Sequence, residues 1–353
     1  MKPKSTYSAD YQIGIGVMTG TSLDGLDLCL CEFREGAYKI LDFQCVEIPE
    51  KLKKSLADVY INSAREFFKI ENEYSRFLAA SIRGFDKKSN NQAQFIGIHG
   101  QTIFHVPDAQ LSVQMLNGGL IAAVTGLTTV CDFRRADIAL GGQGAPLVPI
   151  GDRDLFGEYT GCLNLGGFAN LSTEVDGNRV AFDICAVNMV LNRLAKYEGK
   201  EYDDKGKMAA AGELDPTLLN RLNAMAFYEE KPPKSLGREW MENDILPLIK
   251  SVENRMALRT YTEHCAQQIV KNLPQSGRIL VTGGGAYNQF LISLIKKMLL
   301  STDLVIPEKN LLEGKEALIF AYLAKLRLEG KTNVLASATG ASHNSSSGAL
   351  YNP

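Results

Sequence analysis

The sequence predicts an α/β architecture and suggests a duplicated domain. Strand-like and helix-like segments alternate along the chain, a strand-turn-strand opens each half, and glycine-rich turns follow directly on β runs. At roughly 150 residues per domain, 353 residues give about two domains with ample core.

Gln12 to Phe33 reads strand, turn, strand. In its second arm Leu26, Leu28 and Leu30 alternate with Asp27, Cys29 and Cys31, the period of a strand. Helical spacing follows at Leu52, Leu56, Val59 and Tyr60 and again in EYSRFLAASIRGF, before the strand QFIGIHG and a mixed region reaching TTVCDF. The second strand-turn-strand, CLNLGG into FANLSTEV, begins at Gly161. The strand RVAFDIC leads into helix-like VNMVLNRLAKY, and ILVTGGGAYNQFLISLIKKML reads strand, triple-glycine turn, amphipathic helix. TDLVIP, a short strand, precedes the helix EGKEALIFAYLAKLRLEG. No stretch has linker composition and no repeat has a solenoid period, so two domains would be joined tightly.

The composition, 45% apolar and 22% charged, is that of an ordinary soluble globular protein. With 38 basic against 40 acidic residues the net charge is -2, which argues against a protein built around nucleic acid or an anionic membrane. MKPKSTYSADYQ lacks the apolar core of a signal peptide. The uncharged window Ala109 to Cys131 holds Gln, Asn, Thr and a Gly pair, too polar for a span of ~20 residues, and reads as buried soluble structure. Seven cysteines, an odd number with no CxxC, fit reduced thiols of a cytosolic core rather than a disulfide frame or zinc site.

Backbone N–H groups approach a phosphate closely only where side chains are missing and φ is free, hence at glycine. Three turns qualify: Gly20, Thr21, Ser22, Asp24 and Gly25; Asn164, Gly166 and Gly167; and Gly283, Gly284 and Gly285. Any one alone is equally an ordinary hairpin or strand-to-helix turn. All three after β runs point to a nucleotide, with the last placing it against a helix N-terminus. Asp24 among phosphates makes sense only through Mg²⁺ or a bound water, its plain alternative being an Asp-Gly hairpin turn. Gly14-x-Gly16 finds its third glycine one position too far for a dinucleotide fingerprint, and Gly330-Lys331-Thr332 lacks the first glycine of a P-loop.

Asp183 follows the strand RVAF and precedes a helix, where open α/β sheets hold ligands. It can serve there as a proton acceptor or as a helix cap. Glu316 heads a helix whose apolar face carries Ala317, Phe320, Ala321 and Ala324, and a first-turn glutamate also complements the helix dipole. His99 and His105 lack a third ligand or a zinc spacing, so core or loop histidines are the default. For Arg134 the plain alternative is pairing with Asp132 or Asp137.

MTGTSLDGLD, IHGQTIFHVP, DFRRADIALGGQGAPLVP, LNLGGFANLS, PPKSLGRE, GGGAYN and ASHNSSSGALYNP occur in that order. Together the chain resembles the anhydro-N-acetylmuramic acid kinases, a branch of the acetate kinase, hexokinase and actin-like superfamily. The resemblance implies a two-domain actin-like ATPase (ribonuclease H-like) fold with an interdomain cleft. Residues 1–131 and about 335–353 would form a sugar- and phosphate-binding domain, and 132–334 a nucleotide-binding domain. It further implies ATP and Mg²⁺, a small amino-sugar substrate, a cytoplasmic homodimer and a place in peptidoglycan recycling. No nucleic acid or membrane partner is expected.

By resemblance, the segment from Gly14 through Gly16 to Ser22, with 164–167 and 283–285, holds the ATP phosphates. Asp183 matches the catalytic base of a pattern similar to FD-x-GPGN, of which the Asp and Asn188 remain while Cys185-Ala186-Val187 replaces Gly-Pro-Gly. The missing glycines bear on the mobility of that loop. His99, Gln101 and Glu316 would line the sugar pocket, and Arg134 would grip the lactyl carboxylate with its planar fork. The loop Pro232-Pro233-Lys234-Ser235 receives no role. A kinase of the same fold with another acceptor, favoured by the altered 184–187 segment, and a non-catalytic sensor are the alternatives.

Overall fold

The computed structural model describes residues 11–353 except Thr21, Ser22, Asp24 and Pro233. The chain forms two compact units, one running up to Leu155 and resuming at Gly314–Pro353, the other Phe156–Glu313. The breaks thus fall at 155/156 and 313/314, not at the 131/132 and 334/335 boundaries expected from sequence. Hydrogen bonding explains the first difference. Asp137, fully buried, accepts from Thr339 Oγ1 and from the Gly144 N–H, each at 2.7 Å, which ties the segment after residue 131 to the C-terminal stretch.

The first unit contains strands β1 (Gln12–Thr19), β2 (Leu26–Arg34), β3 (Ala37–Val46), β4 (Phe95–Ile98), β5 (Gln101–Val106), β6 (Leu111–Met115) and β7 (Thr128–Cys131). The second contains β8 (Gly161–Leu165), β9 (Phe168–Val175), β10 (Asn178–Ala186), β11 (Gly277–Thr282) and β12 (Thr302–Val305), and β13 (Ala349–Tyr351) returns to the first. The first sheet has order β13-β7-β4-β1-β2-β3, the second β10-β9-β8-β11-β12. In each, three strands form an antiparallel meander, one strand joins its first strand in parallel, and another joins that one in parallel. The same arrangement twice is the duplicated α/β fold that the two strand-turn-strand segments announce.

Helices cover both faces of the first sheet. On one face Ile13, Ile15 and Val17 of β1 and Leu26, Leu28 and Leu30 of β2 join Tyr74, Leu78 and Ile82 of helix α1 (Ala64–Lys88) in one buried cluster. On the other face the strands lose their side chains: a Cβ at Gly16 would overlap the Ala317 carbonyl, and one at Gly97 the Phe320 carbonyl. Glycine lets the backbone of the helix Lys309–Leu328 lie directly on β1 and β4. In the second unit, Leu163, Leu165 and Leu171 of the sheet pack with Val190 and Leu194 of helix α2 (Asn188–Tyr197) and Leu258, Tyr261 and Ile269 of helix α3 (Asn254–Asn272). Of the seven cysteines, all reduced, six are buried. No helix among the described residues is long and apolar enough to cross a membrane.

Candidate active site

In the first unit the ionisable side chains gather at the C-terminal ends of β4 and β7. His99 follows β4 and is buried. Its Nδ1–H donates to the Gly100 carbonyl at 2.7 Å, so Nε2 carries the lone pair and accepts from Arg134 Nε at 3.1 Å and Nη2 at 2.9 Å. Burial, reinforced by the guanidinium charge, holds the imidazole pKa down at about 3, and His99 is a neutral acceptor at any working pH. Burial lowers Arg134 itself to about 10, and Glu316 acts against that.

The plain alternatives for Arg134 therefore fail. Asp132 lies 3.5 Å from Arg135, and Asp137 is committed to Thr339 and Gly144. Burial raises Glu316 above the usual carboxylate range, opposed by Lys315 and Arg134 and reinforced by Asp27 and Asp152. Lys315 and Asp152 form a buried ion pair at 2.7 Å beside it. Sequence reasoning missed that pair, because nothing in EGKEA or PIGDRD sets either residue apart from a surface charge. Gln101 is buried, and its Oε1 has no partner among the described residues. The structure thus joins His99, Arg134 and Glu316, with Gln101 two residues along the chain.

Of the first glycine turn, Thr21, Ser22 and Asp24 lie outside the described residues. Gly20 is exposed and its carbonyl accepts the Leu23 N–H at 3.1 Å, closing the turn. Gly25 packs where a Cβ would overlap Cys45 Sγ. Gly16 is buried in mid-strand under the Ala317 backbone, a packing role that accounts for the glycine without any ligand.

In the second unit the other two glycine turns meet at the C-terminal ends of the parallel pair β8 and β11, where open α/β sheets hold ligands. Gly283 has φ +83° and lies against Asn164 Oδ1, and Gly285 packs on Leu165. Asn188 adds a third strut: its Nδ2 donates to the Leu165 carbonyl at 3.1 Å, while the Val187 N–H donates to the Gly167 carbonyl at 2.8 Å. Gly167 and Gly284 are exposed, and only Asn188 Nδ2, at 3.8 Å, comes near the missing Cβ of Gly284. One expectation is corrected here. The 283–285 turn opens a 3₁₀ turn, Gly284–Tyr287, and the α-helix begins only at Gln289, capped by Asn288 Oδ1 accepting the Leu291 N–H at 3.0 Å. Asn caps a helix readily, so the glycines are free for the turn itself.

Asp183 sits on β10 at a β-bulge, where the register with β9 shifts between Asp183 and Cys185. Its own N–H donates to the Lys234 carbonyl at 2.9 Å, and its Oδ2 accepts the Leu236 N–H at 2.8 Å. Oδ1 accepts no hydrogen bond from the described residues. Desolvation raises its pKa, and the Leu236 N–H offsets part of that. It caps no helix: α2 begins at Asn188, with no side-chain cap. Ile184, Cys185, Ala186 and Val187 are all fully buried, with the Ala186 carbonyl accepting from Tyr261 Oη at 3.0 Å. The segment that replaces glycines is thus core-packed strand and turn. The loop 234–236, to which the sequence assigns no role, is what holds the Asp183 carboxylate.

A family model described as anhydro-N-acetylmuramic acid kinase matches residues 12–353. The chain is 34% identical over 371 residues to the anhydro-N-acetylmuramic acid kinase of Vibrio cholerae serotype O1, covering 98% of this chain and 100% of that one. It is 36% identical to the protein of the same name from Mannheimia succiniciproducens, covering 96% and 99%, and 35% identical to that of Pseudomonas syringae pv. tomato, covering 96% and 98%.

Proposed function

The chain belongs to the anhydro-N-acetylmuramic acid kinase family, and from that premise we propose how its residues divide the chemistry. The reactants are 1,6-anhydro-N-acetylmuramic acid, ATP and water. The products are N-acetylmuramic acid 6-phosphate, an intermediate of murein recycling, and ADP. Water adds to the anomeric carbon as the C1–O6 bond breaks, and the freed O6 displaces ADP from the γ-phosphorus.

Asp183 takes the proton of the attacking water. The observation that carries this role is its half-committed carboxylate, with Oδ2 fixed by the Leu236 N–H, Oδ1 unengaged, and proton affinity raised by burial. Arg134 holds the lactyl carboxylate with the N–H groups that His99 leaves free. Glu316 and Gln101 hydrogen-bond the sugar, Gln101 through the acceptor left without a partner among the described residues. The turns at Asn164, Gly166, Gly167 and Gly283–Gly285, exposed at Gly167 and Gly284, together with Gly20, Thr21, Ser22 and Gly25, would supply backbone and hydroxyl donors to the ATP phosphates.

Mg²⁺ neutralises phosphate charge and needs only one or two protein carboxylates besides phosphate and water oxygens. Asp24 is the carboxylate proposed to meet it. The cytoplasm, where ATP is kept, is the matching compartment, and a homodimer the matching assembly.

The test is ADP release with ATP, Mg²⁺ and anhydro-N-acetylmuramic acid, comparing wild type with Asp183→Asn. Sugar-dependent turnover is expected, with kcat about 10²- to 10⁴-fold lower in the variant. Turnover preserved in the variant would remove Asp183 as base.

A further inference from the structure

We propose that Lys234 is a positioning residue for Asp183, acting through a backbone clamp formed by residues 234–236. The proposal rests on the reading of Asp183 as the base and extends it to a loop that carries no reactive group of its own.

The clamp has two jaws. The Lys234 carbonyl accepts the Asp183 N–H at 2.9 Å, and the Leu236 N–H donates to Asp183 Oδ2 at 2.8 Å. Together they fix both the backbone and one carboxylate oxygen. Asp183 needs such help, because it stands at a bulge, where its strand leaves the regular ladder with β9.

What holds the clamp is the Lys234 side chain. It is buried to 9% exposure, its Nζ donates to the Phe227 carbonyl at 3.0 Å, and the ammonium stands 4.5 Å from the centre of the Phe227 ring. Phe227 is in turn packed on Trp240, ring centres 5.3 Å apart. No carboxylate pairs with Lys234 within ion-pair distance among the described residues. A buried ammonium held by a carbonyl and a ring is an expensive way to fasten a loop, since desolvation already lowers its pKa. An apolar side chain of the same length would suit the surroundings better for stability alone.

The titratable groups around the clamp are Cys185 on the Asp183 strand, Lys234 itself, Tyr228, Glu229 and Glu230 on the preceding turn, and Lys271 of α3. No charged side chain acts directly on Asp183, whose shift comes from desolvation against the Leu236 N–H. Loosening the clamp therefore removes the one interaction that favours the ionised carboxylate. The pKa of the base should rise.

The experiment compares kcat, both KM values and the pH dependence of kcat in wild type, Lys234→Met, Lys234→Arg and Asp183→Asn, with thermal melts of each. Lys234→Met is expected to fold, to lose about 10-fold in kcat near neutrality with both KM values within about twofold, and to recover part of that loss as pH rises. The acidic limb of its profile moves to higher pH, and Lys234→Arg, which keeps the donors and the ring contact, restores most of the rate. A Lys234→Met profile that overlies wild type, or a loss equal at every pH, overturns the positioning role. Asp183→Asn turning over at the wild-type rate instead removes the base reading, whatever Lys234→Met does.

Discussion

In the first unit the strand ends carry side chains, and in the second they carry backbone. His99, Arg134, Glu316, Lys315 and Asp152 lie within one buried electrostatic network, in which burial lowers the pKa of His99 and Arg134 and raises that of Glu316. The second unit offers glycine turns, exposed at Gly167 and Gly284, braced by amides, Asn164 and Asn188, with the Asp183 carboxylate to one side of the sheet. Apart from the antiparallel edge strand β13 of the first, the sheets have the same strand order, so the topology does not decide this division. Charged side chains suit a ligand whose shape and carboxylate must be recognised. Backbone N–H groups suit phosphates, whose charge is spread over equivalent oxygens.

Glycine breaks the comparison most sharply, because the two units use it for different ends. A Cβ at Gly16 would overlap the Ala317 carbonyl, backbone on both sides, with no side chain able to yield. Gly16→Ala should cost about 3 kcal/mol, at the upper end of overpacking effects, and lower the melting temperature by several degrees. At Gly284 the same substitution meets only Asn188 Nδ2 at ordinary contact distance and should leave stability within about 0.5 kcal/mol while raising the KM for ATP. Thermal melts and ATP saturation curves of both variants test the pair. A Gly16→Ala protein as stable as wild type would mean that the helix 309–328 does not bear on β1 as described.

Arg134 sharpens the side-chain half of the contrast. A charged hydrogen bond to a carboxylate contributes about 1.5–3 kcal/mol, so Arg134→Met should raise the sugar KM by roughly 10- to 100-fold and leave the ATP KM nearly unchanged. Equal loss for both substrates would detach the residue from the lactyl carboxylate.

The periodicity of Leu26, Leu28 and Leu30 was enough to mark a strand, and the two hairpins were enough to mark the duplication, because local spacing encodes both. Spacing places Asp183 at a strand end, whereas β10 runs on to Ala186 and Asp183 stands at a bulge within it. What it does not encode is pairing across the chain. The Arg134–His99 bond joins residues 35 apart, the Leu236–Asp183 bond residues 53 apart, and the Asp152–Lys315 pair arises from two segments with no shared signature. Gly16 shows the same limit. The resemblance assigns it to the ATP phosphates, whereas the helix backbone that occupies the place of its Cβ comes some three hundred residues later.

The smallest effect, and the finest test of the contrast, is in the histidines. His99 in the first unit and His264 in the second both have their pKa depressed to about 3, the first by burial and Arg134, the second by burial alone. Each binds a proton in the unfolded chain below about pH 6.5 that it does not bind when folded. Their contribution to stability is therefore complete above that pH and is lost progressively as pH falls toward 3, by about 1.4 kcal/mol per pH unit for each. Replacing either with Gln should flatten the acid side of the stability curve by one proton's slope. The two variants should part in the enzyme assay. His264 bonds Asn223 at 2.7 Å and Tyr228 at 2.8 Å, inside the core, so His264→Gln should leave the sugar KM alone. His99 supplies the lone pair that orients Arg134, so His99→Gln should raise it about 10-fold. Chemical denaturation from pH 4 to 7, with sugar saturation curves, separates a histidine that only packs from one that also aims a guanidinium, and equal KM values in both variants would place His99 with the first kind.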